Sequence, residues 1–145
     1  MAQYRTTVES TWSPEDAFDY LADFGNTWHW DPSVARTRKL GDDPVGYGSA
    51  FLVVTRFRGR EVELQYRITE YQPGRRVVMT AETPRLRSVD EVTFAPSGTG
   101  RGTCVTYDAE LTLKGPYRLA DPLLQRAFNR LGDAAAAGLE RELNR

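Results

Sequence analysis

The sequence holds little of what metal sites and nucleophilic catalysts draw on most. Its 145 residues include one cysteine, Cys104, and one histidine, His29. A lone cysteine excludes an internal disulfide and any thiolate cluster, and its default place is that of a small buried hydrophobe. No His, Cys and Glu spacing supplies the ligands a metal needs, so no metal and no cofactor is expected. Basic runs are missing as well. Lys39 and Lys114 are the only lysines, and 19 Lys+Arg against 20 Asp+Glu leave a formal charge of −1. Without a cationic stripe to meet phosphates, nucleic acid is not an expected partner. The opening "MAQYRTTVES" has neither a basic n-region nor an apolar h-region. No stretch approaches the roughly 18 consecutive apolar residues of a membrane span. These absences lead to the expectation of a cytoplasmic protein, monomer or homodimer, with no integral membrane segment.

What is present is a globular composition, 40% hydrophobic and 27% charged. A chain of this size buries roughly 68–70% of its unfolded surface and needs no covalent staple. Residues 1–145 are therefore expected to form one domain. "YRTTVEST" reads as a first strand, with Tyr4, Thr6 and Val8 on one side. "SPEDAFDYLADF" then starts a helix, with Ser13 as N-cap, Pro14 at the first helical position and Asp16 closing a capping-box-like arrangement. Ala17, Phe18, Leu21 and Phe24 make its apolar stripe, and Gly25 is expected to stop it. Asn26 is expected to cap a second short helix through Trp30, which Pro32 ends.

From Val34 onward, extended runs alternate with turn signals. Arg58-Gly59 joins "SAFLVVTRF" to "REVELQYRITEY", and Pro73-Gly74 supplies the next turn. "LRSVDEVTF", "APSGTGRG" and "TCVTYDAELTL" complete a meander of long antiparallel strands. "SGTGRG" lacks the Gly-Lys-Ser/Thr ending of a phosphate cradle and links two strands, so it reads as a hairpin loop. The final helix is expected from Asp121, its cap, to Asn144, with Pro122 at its first position. Leu124, Phe128, Leu131, Ala135 and Leu139 recur along it at helical spacing, and Leu143 extends the row. Leu123 adds bulk, while Ala134 to Ala137 and Gly138 permit close approach to the sheet.

In "REVELQYRITE", Val62, Leu64, Tyr66 and Ile68 alternate with Glu61, Glu63, Gln65 and Arg67, giving one buried and one wet face. Val105, Tyr107, Ala109 and Leu111 form the matching set later in the chain. Phe51, Val53, Phe57 and Met79 belong to it as well. A twisted sheet of about seven strands curls around a helix laid along it. Either bulky side chains fill the concave space to normal density, or part of it remains a cavity lined by apolar and aromatic groups. Periodicity alone leaves both open.

The order of elements, strand, two short helices, six-strand meander and long C-terminal helix, resembles the START-like superfamily. That superfamily is also called SRPBCC or helix-grip and includes the Bet v 1-type proteins. "SPEDAFDYLADFGNTWHWDPSV" is similar to the N-terminal signature of its bacterial polyketide cyclase/dehydrase and lipid transport branch, through Pro14, Asp23, Asn26, Trp30 and Pro32. "SGTGRGTCVTYDAELTLKGPYRLADPLLQRAFNRLGDAAAAGL" resembles the end of that branch. The resemblance spans essentially the whole chain. It implies an α+β helix-grip fold: a curved seven-stranded antiparallel sheet wrapped around a long C-terminal helix, with two short helices after strand 1. It also implies an internal cavity with the second short helix at its mouth.

The cavity walls expected from these patterns are Trp28, Trp30, Phe51, Val53, Leu64, Tyr66, Met79, Asp90, Tyr107, Leu124 and Phe128. Trp30, which matches the family tryptophan, is the expected anchor in the core, and Trp28 the rim. Three residues are catalytic candidates. His29 titrates in the range of a general base or is a surface residue. Tyr107, like Tyr66, hydrogen-bonds a ligand or a backbone carbonyl. Asp90 shares strand phase with Ser88, Val92 and Phe94. If that face is concave, desolvation raises its pKa and suits it to proton transfer; otherwise Glu91 faces inward. Family relatives of the cyclase type use a central-strand arginine, but Arg67 has the wrong phase to take that role. The partner expected from these features is a small hydrophobic or aromatic molecule such as a polyketide, lipid or quinone. The competing functions are a polyketide cyclase/dehydrase enzyme and an apolar groove for a protein segment.

Overall fold

In the computed structural model, residues 1–145 are described apart from the side chains of 120 and 121. The alternating runs become seven strands: β1 Ala2–Ser10, β2 Val34–Leu40, β3 Ala50–Phe57, β4 Arg60–Gln72, β5 Arg76–Glu82, β6 Leu86–Pro96 and β7 Thr103–Leu113. All neighbouring strands are antiparallel, in the order β1-β7-β6-β5-β4-β3-β2. The meander from β2 to β7 thus ends by pairing with the first strand. Arg58 (φ 52°) and Gly59 (φ 75°) both take left-handed backbone angles in the β3–β4 turn. That is the turn geometry whose twist matches its flanking strands.

Helix α1 runs Pro14–Ala22, and the Ser13 side chain accepts from the Asp16 N–H as a cap should. It ends before Gly25. Asp23 instead accepts from the Gly25 N–H at 2.9 Å and opens a 3-10 turn at Phe24–Asn26. Asn26 does not cap the next helix either; its amide donates to the Tyr20 carbonyl at 3.1 Å. Helix α2, Thr27–Trp30, stops because Asp31 precedes a proline and adopts an extended conformation. A second 3-10 turn, Gly115–Ala120, leads into α3, Asp121–Glu142. The expected cap of α3, Asp121, lies outside the described residues as far as its side chain is concerned.

β1 is an edge strand, and α3 covers that edge. An edge leaves backbone groups without strand partners. Here Gln125 exchanges hydrogen bonds with the Gln3 N–H (3.0 Å) and carbonyl (2.9 Å). Farther along, Asn144 accepts from the Thr11 N–H (3.1 Å) and donates to the Glu9 carbonyl (2.9 Å). Two side-chain amides therefore stand in for a neighbouring strand at both ends of β1. Glycines set the helix height between them. A Cβ on Gly132 would lie 2.4 Å from the Tyr4 ring, and one on Gly138 would lie 1.8 Å from the Trp30 carbonyl oxygen. The close approach expected of the small residues on α3 is thus made to β1 and α2, not to the middle of the sheet. Among the described residues no helix is long and apolar enough to cross a membrane.

Candidate ligand-binding site

The concave face of the sheet is solid at one end and hollow at the other. At the solid end α1 and the first 3-10 turn drive aromatic rings onto the strands. Phe18 meets Tyr71 and Phe94 edge-on at 5.1 and 5.3 Å, and Phe24 meets Tyr66 at 5.1 Å and Phe51 at 6.5 Å. Trp30, only 4% exposed, stands against Tyr107 at 5.5 Å and closes this packed half. Past that pair the sheet continues, but α3 rests on β1 and α2 and stands off the central strands. The space between is a cavity of about 410 Å³. That size falls within the range that encloses small organic ligands.

Most of the lining is apolar, supplied by Leu64, Leu86, Leu111, Leu124, Phe128 and Leu131 among others. Polar atoms gather on one wall. The Tyr107 hydroxyl donates to Asp90 Oδ2 at 2.5 Å, and the Tyr66 hydroxyl pairs with Ser88 Oγ at 2.7 Å. Register explains the gathering: Ser88, Asp90 and Val92 point to the same face of β6, and Tyr107 and Ala109 do so on β7. The phase left open by the mixed sequence "LRSVDEVTF" is therefore settled, with Asp90 inward. Glu91 lies on the other face, ion-paired with Arg76.

Burial pushes the Asp90 carboxyl up to about 7; the Tyr107 hydroxyl opposes this, while the charges of Asp31 and Asp108 add to it. Burial also raises the Tyr66 and Tyr107 phenols well above their ordinary value, and the Asp90 charge raises both further. Both tyrosines therefore act as neutral O–H groups near pH 7. A second carboxylate completes the wall. Asp31 accepts from the Ser33 N–H (2.9 Å) and hydroxyl (2.7 Å) through Oδ1, and burial raises its pKa too. Near neutrality the site presents one carboxyl poised between its charged and neutral forms, beside two phenols, in a mostly oily chamber.

Of the residues expected in the wall, Trp30, Leu64, Tyr66, Asp90, Tyr107, Leu124 and Phe128 line this cavity. Phe51, Val53 and Met79 do not. All three are on the concave face but sit in the packed core with Phe18 and Phe24. Periodicity fixes which side of a strand a residue takes, not how far along it the helices have filled. Trp28 is corrected as well, being 53% exposed and outside the cavity. Residues two apart on a helix point about 200° from each other, so the inward turn of Trp30 sends Trp28 to solvent. His29 is exposed and stacks on Trp28 at 3.8 Å, away from the cavity, which removes it from the candidate chemistry. Arg67 faces outward and donates to the Gly48 carbonyl at 3.0 Å.

Several lining residues escaped sequence reasoning, among them Asp31, Gly132 and Tyr117. Asp31 carried a usable signal, since it follows the anchoring Trp30 and is held extended by Pro32. Gly132 and Tyr117 offered none, because their role depends on how α3 sits. Among the described residues no group of three or more His, Cys, Asp or Glu could hold a metal.

A family model described as polyketide cyclase / dehydrase and lipid transport matches residues 1–144. No curated protein sequence matches the chain. Solved structures resemble it closely in fold despite distant sequences. A START superfamily protein from Mycobacterium smegmatis aligns with a TM-score of 0.79 at 15% identity, covering 99% of this chain and 97% of that one. The Zhui aromatase/cyclase from a Streptomyces species aligns at 0.78 and 15% identity, covering 97% and 92%. A protein from Thermus thermophilus aligns at 0.76 and 17% identity, covering 98% and 95%. At such identities the likeness carries the START/Bet v 1 fold and nothing about ligand.

Proposed function

The chain belongs to the polyketide cyclase / dehydrase and lipid transport family, and from that premise we propose that it binds a small hydrophobic or aromatic molecule between sheet and α3. One observation carries this: a mostly apolar cavity of about 410 Å³ whose few polar groups converge on one wall. Burial of ligand surface would supply the driving force, at about 25 cal/mol per Å² of apolar area. The Tyr66, Ser88, Asp90 and Tyr107 groups would fix orientation by receiving a carbonyl or hydroxyl of the guest. Because burying such groups without partners is costly, a guest with no polar atom to offer them would bind less well. Native mass spectrometry of the purified protein, followed by solvent extraction, tests the proposal. A co-purifying or added hydrophobe should bind one to one; repeated failure to bind any such molecule would refute it.

A second function is favoured by one specific feature, the 2.5 Å pair of Tyr107 and an Asp90 poised near 7. A general acid or base works best with a pKa near the operating pH. In an aldol closure, the ionised carboxylate would take a proton from a methylene flanked by carbonyls. The carbanion would attack a second carbonyl carbon of the same folded chain. The phenol, resupplied from the protonated Asp90, would protonate the resulting alkoxide, and loss of water would follow. Incubation with a poly-β-ketone substrate separates the two functions. Unchanged product profiles in Asp90→Asn and Tyr107→Phe would sink the enzymatic function and leave binding intact.

A further inference from the structure

Beside the cavity lies a second hollow, about 360 Å³, between the β3–β4 turn and the outer face of α3. Its walls carry four arginines, Arg56, Arg58, Arg126 and Arg130, with Phe57, Leu123, Ala127 and Leu131 between them. Arg126 and Arg130 are four apart on α3 and so lie on one face of the helix. Arg58 approaches from the β3–β4 turn, while Arg56, paired across the strands with the outward Glu61, borders the hollow with its side chain on the outer face of the sheet. All four are exposed, and among the described residues none of the four is in an ion pair. Glu61, whose charge senses Arg56, is already gripped at both oxygens by Arg36 at 3.1 Å. A chain that is almost neutral overall has thus gathered Arg58, Arg126 and Arg130 around one groove with no ion-pair partner among the described residues.

The turn adds an independent sign. Arg58 has a φ of 52° and is the only non-glycine among the described residues with positive φ. Glycine, asparagine or aspartate adopt that conformation with far less strain. Strain retained in a sparsely populated backbone region is a common mark of function. Here it places a guanidinium on the groove.

The groove is also continuous with the cavity, since Arg56, Phe57 and Leu131 line both. Guanidinium forks match the oxygens of carboxylate and phosphate groups. We infer that the ligand is an anionic amphiphile: its apolar body occupies the cavity and its phosphate or carboxylate head rests in the arginine groove. This rests on the proposed binding function and adds the chemical class of the ligand. Leu123, 60% exposed, and Phe57 would flank the chain where body passes into head.

Calorimetric titration with three probes sharing one alkyl chain, dodecanol, dodecanoate and dodecyl phosphate, tests this. Dodecanol reports the cavity alone. Either anion should bind at least about tenfold tighter than the alcohol, with an affinity that falls as salt rises. The Arg126→Gln/Arg130→Gln double variant should erase that advantage and leave dodecanol within about twofold. Arg58→Gly, which relaxes the turn and keeps the fold, should lose part of the advantage. A tighter dodecanoate would identify a carboxylate head and a tighter dodecyl phosphate a phosphate head, and both uphold the inference. If dodecanol binds but neither anion gains, or the arginine variants leave the gain intact, the groove is not a head-group site and the cavity stands alone. If inorganic phosphate saturates the groove without weakening dodecyl phosphate, the two hollows act separately and the inference fails. If no probe binds at all, the cavity itself is refuted.

Discussion

Replacing Asp90 by asparagine should change how stability depends on pH, and the structure gives the sign and scale. The Asp90 carboxyl is raised from 3.8 to about 7, chiefly by burial. Its ionised form is therefore disfavoured in the folded chain by on the order of 4 kcal/mol relative to the unfolded one. Any water drawn into the cavity beside the carboxylate reduces this. Because the folded pKa lies above the unfolded one, the folded state binds the extra proton between roughly pH 4 and pH 7. Stability from this group is complete below that window and is lost as pH rises through about 7. Asparagine never ionises, yet its carbonyl still accepts from Tyr107. The stability of wild type relative to Asp90→Asn should thus fall by as much as about 4 kcal/mol on going from pH 4 to pH 8. Glu61 and Glu82 are held below their ordinary range by Arg36 and Lys114, and they act with the opposite sign at acid pH. Both are common to the two proteins and cancel in the difference. Urea unfolding of each protein across this range reads the effect directly. A constant difference would refute the argument, as would a carbon-13 NMR midpoint for Asp90 at or below about 3.9.

Three further outcomes can be checked with single substitutions. Tyr107→Phe removes a hydrogen bond that favours the charged form of Asp90, so the Asp90 midpoint should move upward in an NMR titration; a downward move would contradict the geometry. Gly138→Ala drives a methyl into the Trp30 carbonyl oxygen, 1.8 Å from the built carbon. Two backbones meet there and cannot yield as a side chain would, so chemical denaturation should report a loss of about 3 kcal/mol. Ser13→Ala deletes the acceptor of the Asp16 N–H, a 3.1 Å bond, and should cost about 1 kcal/mol without touching ligand affinity.

The fold was legible because several independent signals in the chain agree. Ser13-Pro14, the Arg58-Gly59 turn and the period-two run from Val62 to Ile68 each specify their element locally. Their order along the chain then leaves few ways to pack a helix on a meander. The site was legible only in phase. Tyr66 and Tyr107 sit on clean alternating strands, so their inward direction follows from neighbours alone. Asp90 sits in a run with polar residues on both faces, and only pairing with β5 and β7 decides its side. Phe51, Val53 and Met79 show the other boundary. Their direction was correct, but position along the strand depends on where α1 ends, and that was set by the Asp23 side chain and not by Gly25. Leu123 marks a similar boundary on α3. It adds bulk to the helix as expected of a leucine, but which way that bulk points depends on how α3 sits: it faces out beside the arginine groove, one residue away from the row that begins at Leu124.

The hollow follows from how α3 is held. A helix driven onto the middle of the sheet would bury its leucines against β4 and β6 and leave little space. Here the fixed points lie along one side: Gly132 on the Tyr4 ring, Gly138 on the Trp30 carbonyl, and the Gln125 and Asn144 amides on the edge of β1. Held by that margin, the helix spans the concave face like a lid hinged on β1. The row Leu124, Phe128, Leu131 and Ala135 then faces a gap rather than a surface. The polar wall stands on the strands opposite, where a continuous hydrogen-bonded ladder fixes Asp90, Tyr107 and Tyr66 in place. The hydrogen-bonding groups of the cavity therefore sit mainly on the sheet, and its apolar lining sits partly on the helix.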